Sequence, residues 1–441
     1  MNVDVETITS LPLLMPAELA HRNGWVNYQP DGTVLLRHRE LDALGLPAEV
    51  CIPCSRQFPL IRATFEDLNK ALSRLANSPL INGTRSLRQY YEEELAHYET
   101  LAQAAYERGD WEPDYGSYVF DHHEQCLYLV APPFWHRLAL TTSNSMLSID
   151  PAATLTWTEV RERLEGTVIG FAGLSVGGNL LEGWLREARP RQVKIADPDW
   201  LELTNFNRCD RVSLRHAAAS RATRFEPRSP YETPRNFKVD YLAYEHSLVD
   251  PYLQFFIYKE PLSEKNLSLF LLGNGADEPP IDILVEEIDE LSMKVHLRSA
   301  ARDHHIDVLM VTDFGHRTQV MWNPFREQPT SSLGVAGDDQ KLLDALALSK
   351  QGQRCKTFEF IEQMCHCDFR GDPFERYVNG VGEQPTASLP QSGSTTMIAG
   401  GLGGKELALR ALGHRRWSKT TGVTYDFLGQ SVCRDGDPEV V

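Results

Sequence analysis

The sequence predicts an α/β protein with a mostly parallel sheet, preceded by a smaller α+β domain. Three observations carry that prediction. From about Thr156 onward, apolar strands alternate with helices, the pattern of crossover connections between parallel strands. The first strand of the series runs into a glycine turn and a helix. An acid then closes the next strand.

The 441 residues, against ~150 for a typical domain, divide here into an N-terminal domain over residues 1–150 and a second over 151–441. The clearest element of the first is a helix from Ser86 to Glu107, where Tyr90, Leu95, Tyr98, Leu101, Ala105 and Tyr106 recur at helical spacing. Tyr115 to Val130 reads as two short strands, the second broken by Ala131-Pro132-Pro133. In the second domain, the strands are Thr167–Ala172, Gln192–Ala196, Leu253–Tyr258, Asp282–Glu286 and Val308–Val311. The helices are Asn179–Glu187, Lys238–Val249 and Leu291–Ala301. Residues 213–237, dense in Arg, Pro, Ser and Glu, interrupt the pattern as an inserted loop.

Composition excludes several classes. Apolar residues make up 42% and charged residues 24%, so the chain is neither disordered nor fibrous. A net charge of −17 argues against a general nucleic-acid binder or an anionic-membrane binder. Eight scattered cysteines do not make a disulfide framework and point to a reducing compartment. With no apolar leader and no run long enough to span a bilayer, the expectation is a cytoplasmic protein.

The chemistry begins at Gly173-Leu-Ser175-Val-Gly-Gly178, which leads from a strand into a helix. Such a turn offers backbone N–H groups and a positive helix end to phosphate. Ser175 stands where the dinucleotide fingerprint has its middle glycine. The same residues also fit the G-x-S-x-G nucleophile elbow of hydrolases, or a ligand-free turn. Asp197, some twenty residues beyond the turn, favours a nucleotide site, because an acid there can accept from ribose hydroxyls. A turn or N-cap role is the plainer reading of that acid.

The segment Asp197-Pro-Asp199-Trp-Leu-Glu-Leu-Thr-Asn205-Phe-Asn207-Arg208 resembles the D-x-D-x-V-x-x-S-N-L-x-R-Q signature of the ThiF/MoeB/E1 family of adenylating enzymes. Asp282–Arg298, followed by Ile306–Val311, is similar to that family's strand-Asp-helix segment and the strand after it. The resemblance runs from about Thr156 to Leu412. The Gly-Leu-Ser-Val-Gly turn, Asp250-Pro-Tyr-Leu253 and Ser388-Leu-Pro-Gln391 resemble a bacterial subgroup with a long N-terminal extension, sometimes fused to a nitroreductase-like domain.

The resemblance implies a Rossmann-like ThiF/E1-type domain and a homodimer. It also implies ATP-dependent, Mg²⁺-assisted adenylation of a carboxylate, commonly the C-terminus of a ubiquitin-like or sulfur-carrier protein. A peptide or a small molecule is the other possible acceptor. It assigns the ribose to Asp197, the phosphates to Asn205 and Arg208, and Mg²⁺ to Asp289. Gly173, Ser175, Gly178 and Asp199 complete the nucleotide site. The family lysine, expected about thirteen residues beyond the arginine, falls on Arg221 by direct counting. Counting back from Asp250-Pro-Tyr252, across an insertion, places it at Lys238, the preferred assignment.

Two departures accompany the match. The family's upstream Arg-Asn pair is replaced by Ser143-Asn144, leaving Arg137 or an arginine of the inserted loop as substitute. The late cysteines form Cys365-His366-Cys367, with Cys355 before them; C-x-C forces ligands close together and argues against zinc. Cys365 and Cys367 are also the candidates for an acyl-accepting thiol, against the commoner role of buried, inert cysteine. Gly400-Gly-Leu-Gly-Gly404-Lys405 fails the P-loop pattern and reads as close helix packing. The rival readings are a catalytically degenerate binding subunit, an NAD-dependent oxidoreductase and a Ser175 hydrolase.

Overall fold

A computed structural model describes residues 136–137, 139–140, 154–209, 212, 237–275, 278–350, 354–365, 391–414, 419–427 and 431–434, together with seven short N-terminal strands. The chain forms two compact units. One comprises Met1–Ser143, Phe225–Pro234 and Ala243–Gln254; the other comprises Asn144–Arg224, Arg235–Leu242 and Phe255–Val441.

In the first unit the strands are β1 (Met15–Pro16), β2 (Val26–Tyr28), β3 (Thr33–Leu36), β4 (Cys51–Pro53), β5 (Leu60–Arg62), β6 (Ser117–Asp121) and β7 (Cys126–Val130). They make a four-stranded sheet of order β1-β7-β6-β5 and a three-stranded sheet β2-β3-β4. The strand pair expected over Tyr115–Val130 is the antiparallel pair β6–β7, with Ser117 opposite Val130 and Asp121 opposite Cys126. The expected Ser86–Glu107 helix lies outside the described residues.

The second unit opens with α1 (Trp157–Gly166). Thr156 Oγ1 accepts from the Glu159 amide and Glu159 Oε2 accepts from the Thr156 amide, a reciprocal cap. This Thr-x-x-Glu signal was present in the sequence and went unread. Then come β8 (Ile169–Ala172), α2 (Val176–Glu187), β9 (Gln192–Ala196), α3 (Lys238–Val249, whose residues from Ala243 on belong to the first unit), β10 (Gln254–Tyr258, in this unit from Phe255) and α4 (Leu267–Leu272). They are followed by β11 (Ile283–Glu286), α5 (Leu291–Asp303), β12 (Asp307–Phe314) and β13 (Arg317–Asn323). The remainder is α6 (Asp339–Lys350), α7 (Arg354–Cys365), α8 (Gly393–Ala411), β14 (Thr421–Asp426) and β15 (Ser431–Arg434).

These strands form one mixed sheet of order β10-β9-β8-β11-β12-β13-β14-β15. From β9 through β8 and β11 to β12 the pairing is parallel. From β12 to β15 it is antiparallel. β8 and β11 are buried along their whole length, as strands covered on both faces must be. The chain goes from β8 to β9 on one side and reaches β11 on the other, so the strand order reverses between β8 and β11. That reversal opens a crevice at the carboxyl ends of the two strands, the usual ligand position in such sheets.

Two packing features hold the crevice in place. The first is the contact between α2 and α8. A side chain at Gly183, Gly400 or Gly404 would overlap the backbone of the facing helix, so the two backbones touch directly. This is the close packing expected of the Gly400–Gly404 run. The second is a buried charge cluster behind β11. Glu286, fully buried, accepts from Lys294 Nζ at 2.9 Å and from Arg298 Nε at 3.0 Å, and Arg298 Nη1 continues to Asn323 Oδ1 at 2.7 Å. Removing one member of such a cluster leaves an uncompensated buried charge, costing ~3–5 kcal/mol. The cluster ties the end of β11 to α5 and sets the path of the loop between them.

Candidate functional site

The crevice is walled by three segments: the β8–α2 turn, the tip of β9 and the β11–α5 loop. Gly173 has φ 88°, and a Cβ there would overlap the carbonyl of Glu287, so only glycine fits. Its amide donates to the Ala196 carbonyl at 2.8 Å, pinning the turn to β9. Helix α2 begins directly after Ser175, three residues before the expected start; Gly177 and Gly178, poor helix formers, obscured its first turn. Ser175 supplies no side-chain cap, so the first amides of α2 remain available to an anion.

Asp197 is 4% exposed. Its Oδ2 accepts from the Leu174 amide at 2.7 Å and its Oδ1 from the Asp199 amide at 2.8 Å. The plainer turn role is therefore filled, and the same bonds lock the β9 tip to the glycine turn. Lys238, the first residue of α3, sets its Nζ 2.8 Å from Asp199 Oδ2 and 3.5 Å from Asp197 Oδ2. Burial disfavours its ammonium, but Asp197 and Asp199 outweigh that and raise its pKa above the ordinary lysine value.

On the third wall, Asp289 is exposed, and its carboxylate has no hydrogen bond or ion pair among the described residues. The helix cap that was its alternative role belongs to Glu290, which accepts from the Ser292 and Met293 amides at 3.1 and 2.6 Å. Glu287 accepts from the Val311 amide at 2.7 Å, and burial pushes its pKa well above the usual carboxylate range.

Together these segments enclose a cavity of about 420 Å³, within the range of small-molecule sites. Gly173, Ser175, Asp197, Asp199, Lys238 and Asp289 all line it, with Leu262, Ile288 and Met293 among its apolar walls. Gly178, Asn205 and Arg208 do not. Gly178 makes room for Leu242 of α3. Asn205 Oδ1 accepts from the Glu202 amide at 2.9 Å, capping the single 3₁₀ turn Leu203–Asn205. Arg208 donates from Nε to Ser175 Oγ at 2.8 Å and from Nη1 to the Thr204 carbonyl at 2.6 Å. Ser175 Oγ in turn donates to Gln391 at 3.4 Å. Bonded to a guanidinium and an amide, this hydroxyl has no general base among its described partners, which removes the support for the hydrolase reading.

Two residues that hold the Arg208 segment were missed in the sequence. Asn179 donates to the Arg208 carbonyl at 2.8 Å, and Asn207 donates to the Gln391 carbonyl at 2.7 Å. The Ser388–Gln391 resemblance was the signal for the second. Arg137 is 7% exposed, with Nε 3.4 Å from Asp250 Oδ2, so its charge is engaged within the first unit. Cys365 is buried at the end of α7. Arg221, Ser143, Asn144, His366 and Cys367 lie outside the described residues. Among the described residues no three His, Cys, Asp or Glu side chains cluster as a metal site, and no helix is long and apolar enough to cross a membrane.

The fold and cavity define an α/β unit with a crevice at its topological switch point, walled in part by a glycine turn. No family model matches the chain. It is similar to the uncharacterized protein MT1398 of Mycobacterium tuberculosis (strain CDC 1551 / Oshkosh), at 29% identity over 154 residues; the match spans 35% of this chain and 18% of that protein. Among solved structures it is similar to PaaA, with TM-score 0.47 and 13% identity over 79% of this chain and 95% of that one. It is also similar to E. coli MccB, with TM-score 0.42 and 9% identity over 64% and 66%.

Proposed function

We propose that the second unit binds ATP and adenylates a carboxylate, releasing pyrophosphate. The observation that carries this reading is the convergence of Gly173, Asp197, Lys238 and Asp289 on one cavity. The α2 N-terminus and Lys238 are the donors that would face the triphosphate, and Asp197 offers its remaining lone pairs to a ribose. The apolar wall of Leu262, Ile288 and Met293 suits a base.

In the reaction, a carboxylate oxygen attacks the α-phosphorus and the bond to the β-phosphate breaks. The protein's contribution is alignment of two anions and neutralisation of the departing charge. The donor set fits Mg²⁺, which uses one or two carboxylates and completes its shell with phosphate and water. Asp289 would hold it, and the ion would offset charge on the leaving pyrophosphate. Arg208, one bond away through Ser175, is the proposed second phosphate-side cation. The acceptor is a protein C-terminus, a peptide or a small acid, and the active form is a homodimer.

A second reading, a nucleotide-binding subunit without catalysis, is favoured by one fact: Arg208 is held by protein oxygens rather than by the cavity. Calorimetric titration separates adenylation from nicotinamide chemistry. ATP with Mg²⁺ is expected to bind at least tenfold more tightly than NAD; binding of NAD alone would end the adenylation reading.

A further inference from the structure

Across Ile288 and Asp289 lies a second cavity of about 170 Å³, sharing Ser175 and Glu287 with the first. Its body is apolar, built chiefly from Phe314, Phe360, Ile361 and Met364. Three of the four charged residues lining it, Glu287, Asp289 and Asp313, are acids, the fourth being Lys294. Asp313, at the end of β12, is 9% exposed, and its Oδ2 has no hydrogen-bond partner among the described residues. Burial first, and the Asp289 carboxylate after it, raise its pKa to about 6. A buried carboxylate oxygen left without a hydrogen bond is costly and calls for explanation.

The neighbouring cations do not meet that need. Lys294 lines the cavity but gives its ammonium to both oxygens of Glu286, at 2.9 and 3.1 Å. Arg208 attracts Asp313 through space while its hydrogen bonds go to Ser175, Thr204 and Asn207. Glu287 and Asp289, the other carboxyl groups lining the cavity, are acids, and the Cys365 thiol, which also lines it, is not a cation. A lone metal ion matches the space poorly: the described residues contain no three-ligand group, and the walls are apolar. The volume, several times the ~30 Å³ of a water molecule, suits a residue-sized organic cation.

We propose that this second cavity seats a primary ammonium carried on an apolar body, paired with Asp313, and that the acid activated next door bears this group. The substrate class is then an amino acid or an amine-bearing peptide residue. Activation of that acid rests on the adenylation reading, whereas the pairing of ammonium with Asp313 stands on the cavity itself.

The test is calorimetric titration of the full chain with n-butylammonium and with each free L-amino acid and its N-acetyl derivative, with and without ATP and Mg²⁺. Butylammonium and at least one amino acid should bind, and the N-acetyl form of that amino acid should bind at least tenfold more weakly. Asp313→Asn, which keeps the shape and removes repulsion from Asp289, should fold and erase the difference. Ile361→Trp, filling the apolar wall, should weaken both forms. A wild type with no preference for the ammonium, or an Asp313→Asn variant that keeps it, overturns the proposal. So does an Asp313→Asn variant whose only change is weaker Mg²⁺ binding, since the residue is then a metal ligand. Amine binding without ATP binding or pyrophosphate exchange supports the cavity's chemistry and sinks adenylation; ATP binding without amine binding does the reverse.

Discussion

The two cavities on either side of Asp289 share a wall and differ in how their carboxylates are satisfied. In the larger, Asp197 accepts two backbone amides and Lys238 bridges Asp197 to Asp199, so these three charges have partners before a ligand arrives. In the smaller, Asp313 has a buried oxygen with no partner and Glu287 is pushed toward its neutral form by burial. The same residue type thus serves two ends. Where amides and a lysine are supplied, an acid fixes the walls of a site that faces an anion. Where they are withheld, an acid becomes a demand for a cation.

The contrast breaks most visibly at Asp289, whose carboxylate has no structural duty among the described residues. Asp289→Ala should lower pyrophosphate exchange by ~10²–10³ or more with an unchanged melting temperature. Lys238→Ala should fall in the same range, with weaker ATP binding as well, whereas Arg221→Ala should be mild. Once the right acid is in hand, an Asp289→Ala variant exchanging at the wild-type rate removes the site assignment.

The next effect is on stability. Gly173→Ala meets both a positive φ and the Glu287 backbone, so it should destabilise by ~2–4 kcal/mol and abolish ATP binding. Gly401→Ala, on the open face of α8 with no atom within 4 Å of the added carbon, should instead stabilise by ~0.5–1 kcal/mol. Urea midpoints of the two variants measure the difference; equal midpoints would contradict the close approach at Gly173.

The smallest effect sharpens the contrast through pH. The Asp313 carboxyl rises from its ordinary 3.8 to about 6 on folding. Its protonated form favours the folded state, a contribution present below about pH 4 and lost as pH rises through about 6. Above that, wild type carries a cost of up to ~3 kcal/mol that Asp313→Asn does not. Unfolding free energies should therefore differ at pH 7.5, with Asp313→Asn the more stable, and converge at pH 4. A difference independent of pH would mean that the acid is not held apart from partners.

Much of the parallel sheet was legible. The strand Gln192–Ala196 and the helix Lys238–Val249 appear with the expected bounds because apolar periodicity there meets clear breaks. The antiparallel half was not. Arg317–Asn323 mixes polar and apolar residues without clean alternation, and Gln319 and Asn323 are nevertheless buried, because their amides bond to the Cys365 carbonyl and to Ser332 and Leu333. Such partners lie in other segments, so the residues read as solvent-facing. Asp313 escaped notice for the same reason: in sequence it is one acid at a strand end.

What the sequence alone determined is local. It marked the glycine turn, because φ 88° admits little else, and the acid at the β9 tip, because both are dictated by bonds within a few residues of the strands. It also brought Lys238 to the head of its helix. Which of these residues face one cavity was decided only by tertiary structure. Arg208 and Asn205, indistinguishable by spacing from Asp197 and Lys238, turn to serve Ser175 and the Glu202 amide instead. The reason is physical: a side chain takes the strongest partner within reach, and reach is set by how strands reverse and helices cross, distances that no linear spacing contains.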